Sequence, residues 1–191
     1  MEFSGAEQAY SLQWLQREWS EGRRFSFLYF WGHRPPRHGG VSQACFSQWW
    51  ECRFQVGGVE YRCAEQYMMA EKARMFGDEQ ALQAIMQAEE PGAMKAWGRK
   101  VKNFDPQKWD ECCSDIVCVG NLAKFSQNPP LRQFLAATES KVLVEASPVD
   151  SIWGIGLDKT APEAADPMQW RGENRLGFAL MQVRDLLKTK Q

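Results

Sequence analysis

The apolar residues of this chain recur at spacings that predict short helices joined by a few strands. Near the N-terminus, Tyr10, Trp14 and Leu15 fall at helical spacing among Glu and Arg residues. This pattern predicts a modest amphipathic helix within an N-terminal extension of residues 1–24, which either packs back on the protein or serves a partner. The aromatic run from Ser26 to Trp31 predicts the first strand of the region that follows.

Turn residues divide residues 25–188, which we expect to form one domain. Gly57-Gly58 predicts a two-residue hairpin turn, and Gly77-Asp78 predicts the end of one helix and the cap of the next. The other predicted elements are strands at 51–56, 59–62 and 142–145, and helices at 64–76, 78–88, 91–102, 105–127, 131–137 and 174–187. Residues 154–172, rich in Gly, Pro and Asp, predict a long loop. The chain is therefore predicted to be an α+β protein, a mostly α-helical, compact single domain with a small β-sheet.

The helix predicted to begin at Ala64 carries one acid and one amine in register. Glu65 and Lys72 are seven residues apart, and seven steps of about 100° return a side chain to nearly the same helix face. Met and Phe residues on the same helix predict that it is largely buried. We therefore expect both polar groups at the lip of a cavity, with the glutamate as a general acid–base and the lysine as a neutral amine. The alternative is a solvated helix face with two unrelated charges.

A glycine-containing segment follows the last predicted strand. Asp150 stands at the exit of that strand, Trp153 offers a face for stacking, and Gly154 and Gly156 allow a ligand to approach the backbone closely. A lone W-G-x-G pattern is also typical of an ordinary structural turn, so both interpretations stay open.

The start of the last predicted helix is a further candidate ligand site. A helix N-terminus offers free N–H groups and a positive dipole end to phosphate, and Arg171 or Arg175 adds charge. An ordinary capped helix explains the same residues. On the middle helices, Trp97 and Trp109 are each candidates for core packing or for a ligand platform.

Charge and composition limit the classes of function. The net charge of −1 lacks the overall basic character of a nucleic-acid binder, so any such contact is expected to be local. No apolar run approaches about 18 residues and no signal-peptide pattern occurs, so we expect a cytoplasmic protein without membrane contact, with entry into the nucleus left open. The six cysteines form no C-x-x-C pair and are interpreted as small buried apolar residues. The spacing of His33, His38, Cys45 and Cys52 matches no zinc-ligand pattern, so neither a metal nor a cofactor is expected.

Taken together, these motifs resemble a known family. In chain order, Glu65-Gln66-Tyr67 with Lys72, then Asp150, then Trp153-Gly154-x-Gly156, then Asn174-Arg175-Leu176-Gly177 look like the NADAR (YbiA-like) domain. The resemblance covers roughly residues 25–188. Each motif alone is weak, but four separated motifs in the right order are specific.

The resemblance implies an activity and roles for individual residues. Members of the family are compact, mostly α-helical α+β domains that hydrolyse N-glycosidic bonds. The implied catalytic residues are Glu65 as the acid, Lys72 as the amine and Asp150 as the acid at the strand exit. The implied substrate-binding residues are Trp109, Trp153, Gly154, Gly156, Asn174 and Arg175. Where the family commonly has a second aromatic residue or His after the Glu, this chain has Gln66-Tyr67.

Two substrate classes and one binding function follow from the resemblance. The leading hypothesis is hydrolysis of the bond between ADP-ribose and a guanine base of DNA or RNA, so that the partners are the modified nucleic acid and ADP-ribose. The runner-up is an N-glycosidase of phosphoribosylamino intermediates of riboflavin biosynthesis, which differs in substrate but not in chemistry. A non-catalytic ADP-ribose reader is the third hypothesis. The presence of both Glu65 and Lys72 argues against a reader, because binding alone needs neither a poised amine nor an acid.

Overall fold

The structure, a computed structural model, describes residues 10–189 of the 191-residue chain. The first nine residues of the predicted extension lie outside the described residues. The chain divides into two compact units. One contains the described residues up to Ser47 together with those from Pro130 onward, and the other is Gln48–Pro129. The expected boundary between residues 1–24 and 25–188 stays a prediction.

Seven α-helices and four strands lie within residues 10–189. The helices are α1 (Leu12–Ser20), α2 (Ala64–Met75), α3 (Glu79–Gln87), α4 (Pro91–Gly98), α5 (Pro106–Gln127), α6 (Pro129–Ala136) and α7 (Arg175–Lys188). The strands are β1 (Phe27–Phe30), β2 (Phe54–Val56), β3 (Val59–Tyr61) and β4 (Val142–Glu145). Short 3-10 helices occupy Gln43–Phe46, Pro162–Ala165 and Pro167–Gln169. The predicted α+β, mainly helical fold is confirmed. No helix in the described range has the length and apolarity that crossing a membrane requires.

The first unit is built on two parallel strands. β1 lies beside β4 along all four residues of each strand, and three of the four β4 residues are buried. Helix α7 packs on β4. The close approach depends on Gly177, because a Cβ at this position would lie 2.1 Å from the carbonyl oxygen of Leu143. The sheet and α7 therefore fix where the segment after β4 begins and ends.

Helix α1 belongs to this same unit. Ser11 caps it by accepting the Trp14 N–H, and Leu15 is completely buried. The hydroxyl of Tyr10 donates a hydrogen bond of 2.6 Å to the carboxylate of Asp185 on α7. The predicted amphipathic helix is confirmed, and it packs back on the protein.

The second unit packs four helices with a β-hairpin. The predicted two-glycine turn joins β2 to β3 with the left-handed backbone that glycine adopts readily. Helix α2 is the central element, since α3, α4 and α5 all pack against it. Gly98 on α4 and Gly120 on α5 allow this contact, because a Cβ at either position would overlap Met69 or Tyr67 of α2.

Two helix ends differ from the prediction by two residues or more, and β2 begins at Phe54 rather than at residue 51. Helix α4 ends at Gly98 rather than at Lys102, because the Asp78 carboxylate holds the segment that follows. This carboxylate caps α3 and also accepts the Lys102 backbone N–H at 2.8 Å. Helix α6 begins at Pro129 rather than at Leu131, since a proline in the first turn gives up only an N–H that has no partner inside the helix.

Candidate active site

The predicted acid and amine lie on the central helix of the second unit. Glu65 occupies the first turn of α2 and is 5% exposed, and Lys72 follows two turns later and is half-buried. Helical side chains lean toward the N-terminus, so the Lys72 side chain extends back in the direction of Glu65. The charge of Glu65 acts on the amine of Lys72. The two groups therefore share one environment, with the carboxylate at the positive end of the helix dipole.

Two aromatic rings lie against the amine of Lys72. Its Nζ atom is 3.8 Å from the centroid of the Phe104 ring and 5.5 Å from that of the Trp109 ring. Burial lowers the pKa of Lys72 from its ordinary value of 10.5, and the charge of Glu65 acts in the opposite direction. A lower pKa increases the fraction of neutral amine at a given pH, which is the form that attacks an electrophilic carbon.

A buried hydrogen-bond chain fixes the first turn of α2. The backbone N–H of Glu65 donates to the carbonyl oxygen of Gln48 at 2.9 Å. The side-chain oxygen of Gln48 accepts from the amide of Asn121 at 2.8 Å, and the same amide donates to the Val117 carbonyl of α5 at 2.9 Å. Both Gln48 and Asn121 are buried. The backbone at Glu65 is thus tied to α5 through two side chains that are shielded from water.

Gln66 and Tyr67, where the chain departs from the usual family pattern, serve the fold. The side-chain oxygen of Gln66 accepts the Arg62 N–H at 2.8 Å, and its amide donates to the Ile85 carbonyl at 3.1 Å. The Tyr67 ring meets that of Tyr61 edge-on with centroids 5.1 Å apart. Both residues are buried. Their side chains stabilise the start of α2 and present no exposed group to a ligand.

In the first unit, Asp150 shapes the loop that follows β4. Its Oδ1 atom accepts the backbone N–H groups of Ile152 at 3.0 Å and Trp153 at 2.8 Å. Its carbonyl oxygen accepts the Gly156 N–H at 3.2 Å. Asp150 is therefore a turn-forming residue, and Oδ2 is the carboxylate oxygen left to meet a ligand.

The glycines of this loop are required by the packing of the protein itself. A Cβ on Gly154 would lie 2.8 Å from the Glu145 carbonyl oxygen and 3.0 Å from that of Asp150. Gly172 packs against the same turn, since a Cβ there would lie 2.3 Å from the Gly154 carbonyl oxygen. Gly156 has a φ of +67°, which strains any residue with a side chain. The chain itself packs closely against Gly154, and a ligand contact with its backbone stays a prediction.

Most N–H groups at the start of α7 are already bonded within the chain, which leaves little of this helix end for a phosphate. The loop caps the helix with its own carbonyl oxygens. The donor and acceptor pairs are Glu173 with Ser151, Asn174 with Gly154, Arg175 with Ile152 and Leu176 with Trp153. The N–H groups of residues 174–176 are thus satisfied from within the chain, as helix termini require. A stacking role for the Trp153 ring stays a prediction.

The Asn174 side chain joins α7 to β4. Asn174 is completely buried and adopts a φ of 54°, a left-handed conformation that asparagine tolerates. Its amide donates to the Leu143 carbonyl and its oxygen accepts the Glu145 N–H, both at 2.9 Å. The geometry gives Asn174 a role in the fold, and a substrate contact by this residue stays a prediction. Arg175 donates from Nε to Glu173 at 2.6 Å, and a substrate contact by its guanidinium stays a prediction.

The predicted site residues fall into two groups. Glu65, Lys72 and Trp109 form one cluster in the second unit. The loop–helix junction of the first unit holds Asp150, Trp153, Gly154, Gly156, Asn174 and Arg175. Sequence reasoning missed Phe104, because a single aromatic residue ahead of a helix cap carries no periodic signal. Its proximity to Lys72 depends on how the segment between α4 and α5 is held against α2.

Neither group of site residues, as far as the chain is described, is joined by a set of metal ligands or by a reactive thiol. Within residues 10–189, no set of three or more His, Cys, Asp or Glu side chains is placed to hold a metal ion. Burial raises the pKa of Cys63 to about 11 and that of Cys118 to about 12. These two thiols stay protonated at neutral pH, which suits buried apolar residues and not nucleophiles.

Comparison with known proteins identifies the family. The family model described as the NADAR domain matches residues 29–188. The chain belongs to the NADAR family. An N-glycosidase of Acanthamoeba polyphaga mimivirus is 47% identical to it over 147 residues, which cover 73% of this chain and 85% of the viral protein. The protein irg-1 of Caenorhabditis elegans is 42% identical over 135 residues, covering 70% of this chain and 64% of irg-1.

Bacterial NADAR relatives extend the comparison. The N-glycosidase YbiA of Escherichia coli (strain K12) is 29% identical over 142 residues, covering 74% of this chain and 80% of YbiA. The NMR structure of Escherichia coli YbiA superimposes with a TM-score of 0.70 at 24% identity over 88% of each chain. The structural likeness confirms the fold. The names of the viral and bacterial relatives support an N-glycosidase as the class of enzyme.

Proposed function

We propose that this chain is an N-glycosidase that removes ADP-ribose from guanine bases of DNA or RNA. The observation that carries the proposal is the environment of the Lys72 amine. Its pKa is lowered, it lies against two aromatic rings, and the charge of Glu65 acts on it. A solvated helix face with two unrelated charges does not account for a glutamate that is 5% exposed. The N-glycosidases among the relatives support the same chemistry.

The acid and amine suit a reaction through a Schiff base. When ribose is joined to an exocyclic amine, protonation of the ring oxygen breaks the C1–O bond while the nitrogen lone pair forms an imine to C1. The neutral amine of Lys72 then adds to C1. The guanine amine leaves with a proton, and a Schiff base remains between Lys72 and ADP-ribose. Water adds to C1, and the intermediate collapses to free ADP-ribose and the regenerated amine.

Glu65 supplies the proton transfers that this sequence needs. It protonates the ring oxygen in the opening step and accepts a proton from the attacking water in the last step. The ring of Trp109, half-buried beside the amine, offers a surface on which a flat base can stack. The mechanism uses no metal and no cofactor.

The test is turnover of a guanine oligonucleotide that carries ADP-ribose. The expected products are the unmodified oligonucleotide and free ADP-ribose. Borohydride added during turnover is expected to reduce the Schiff base and leave an ADP-ribose adduct on Lys72. Lys72→Arg keeps the positive charge but has no neutral form near neutral pH, so it should lose both turnover and adduct while still binding ADP-ribose.

Each other outcome points to a different conclusion. Normal turnover by Lys72→Arg, with no adduct on the parent protein, would assign the reaction to direct attack by water with Glu65 as the base. Binding of ADP-ribose without any turnover would identify a reader. Cleavage of a phosphoribosylamino compound with no action on the oligonucleotide would move the substrate to the precursors of riboflavin.

A further inference from the structure

Phe104 is a large apolar side chain in an unusual position. It lies in the short segment between α4 and α5, and 40% of its surface is exposed. An isolated exposed phenylalanine is by itself ordinary. This ring, however, covers the amine of Lys72, whose Nζ is 3.8 Å from the ring centroid.

The backbone on both sides of Phe104 is fixed. Asn103 adopts a left-handed φ of 55°, a conformation that costs a non-glycine residue free energy. On the other side, Asp105 caps α5 by accepting the N–H groups of Gln107 and Lys108. These two features set the direction in which the Phe104 side chain leaves the chain.

The ring is also held from the side. Phe76, one turn after Lys72 at the end of α2, meets Phe104 edge-on with centroids 5.3 Å apart and planes at 74°. Phe104 therefore packs against Phe76 of α2 and covers the amine of Lys72 on the same helix.

We propose that Phe104 is a positioning residue that keeps water from the Lys72 amine and holds it in the reactive place. The inference rests on the proposed function for its purpose, but the covering of the amine can be measured without any substrate. Trp109 forms the second apolar wall.

The ring exerts two opposite effects on the amine. Its electron-rich face attracts an ammonium ion and favours the charged form, whereas its bulk excludes water and favours the neutral form. Burial is the larger influence, because the pKa of Lys72 is lowered. Glu65 on α2 is the charge that opposes burial.

The experiment compares Phe104→Ala and Phe104→Leu by the reactivity of Lys72. Competitive acetylation with acetic anhydride over a range of pH titrates individual amines. Cleavage after arginine then releases residues 63–74, in which Lys72 is the one lysine. Trp97→Ala is the matched control, since Trp97 is a partly exposed aromatic residue of the same unit whose ring lies near Lys100 instead.

Phe104→Ala should raise the pKa of Lys72 toward 10.5, because water reaches the amine. Phe104→Leu should leave it lowered, because leucine retains the apolar cover and removes only the attraction of the ring for the ammonium. Trp97→Ala should leave it unchanged. An unchanged Lys72 titration in a folded Phe104→Ala protein would overturn the proposal. If that variant does not fold, Phe104→Gln, which keeps much of the volume but admits water, gives the same comparison.

Turnover adds a second measurement. Each unit of increase in the Lys72 pKa reduces the neutral fraction about tenfold at a fixed lower pH. Phe104→Ala should therefore lose kcat at neutral pH and recover it as the pH rises, with KM little changed, and Phe104→Leu should not. A loss of kcat equal at every pH would contradict a role through the amine. Should the parent protein fail to act on ADP-ribosylated guanine, the acetylation result would still decide the role of Phe104, so the two proposals fail separately.

Discussion

The two groups of predicted site residues use their polar atoms in opposite ways. Around α2, the acid is buried and the amine lies against two aromatic rings, while a separate set of amides holds the backbone. In the loop after β4, Asp150 and the backbone groups of residues 151–154 are engaged in shaping the turn and capping α7. The comparison teaches that the residues of a candidate ligand motif rich in Gly and Asp can also shape the fold.

The difference also suggests where each group resists substitution. Substituting a polar group that serves the reaction, as in the cluster on α2, should reduce the rate of turnover and leave the stability of the protein unchanged. A loop held by close packing should lose stability first. The predictions below test this contrast, starting with the largest expected effect.

Glu65→Gln should reduce kcat by about 100- to 10,000-fold, the usual contribution of a proton-transfer group. The fold should survive, because the hydrogen bond that ties this residue to Gln48 comes from its backbone N–H. Steady-state kinetics and a thermal melt measure the two quantities. Near-normal turnover in a folded variant would remove Glu65 from the mechanism.

Gly154→Ala should destabilise the protein by about 1–3 kcal/mol, the usual cost of overpacking, because its Cβ would meet two carbonyl oxygens. Gly92→Ala is the matched control, since a Cβ there makes only ordinary contacts with Trp49. Urea denaturation measures both. A Gly154→Ala protein of unchanged stability that no longer binds ADP-ribose would return this glycine to the role of admitting a ligand.

Asp150 can be divided into its two roles by a pair of substitutions. Asp150→Asn keeps an oxygen that can accept the Ile152 and Trp153 N–H groups, so its stability should stay close to that of the parent. Asp150→Ala removes that acceptor and should cost about 1 kcal/mol. If the carboxylate also holds ribose hydroxyls, Asp150→Asn should weaken ADP-ribose binding by calorimetry. Equal binding by Asp150→Asn and the parent would leave Asp150 with the turn alone.

Lys72→Met should abolish turnover yet raise the melting temperature slightly, by about 2 °C. A lysine whose folded pKa lies below its unfolded pKa opposes folding at neutral pH, because the unfolded chain binds the proton more readily. The gain in stability of Lys72→Met over the parent should be largest at pH values below the pKa that Lys72 has in the folded protein. It should shrink as the pH rises from there toward 10.5. Melting curves at several pH values measure it, and a variant less stable than the parent at neutral pH would contradict the sign.

The sequence predicted the elements better than the contacts between them. Helical spacing, proline at first helical positions and the two-glycine turn are local signals, so α2, α5 and the β-hairpin appear close to where they were expected. The spacing of Glu65 and Lys72 likewise places them on one helix face. Phe104 is different, because its contact with Lys72 depends on how the segment between α4 and α5 is held against α2. The close packing around Gly154 could not be predicted for the same reason, since glycine looks alike in sequence whether a ligand or the chain itself fills the space beside it.

Helix α1 has a practical consequence for the choice of the first residue in a shortened version of this protein. The family match begins at residue 29, yet Leu15 lies in the interior and Tyr10 is bonded to α7. A chain trimmed to the family boundary would lose the Tyr10–Asp185 bond, the contact of Trp19 with Phe27 and the buried Leu15. The limits of shared ancestry and the limits of independent folding therefore differ in this chain. Fragments for crystallisation, or for fusion to another protein, are better begun before residue 10 than at residue 29.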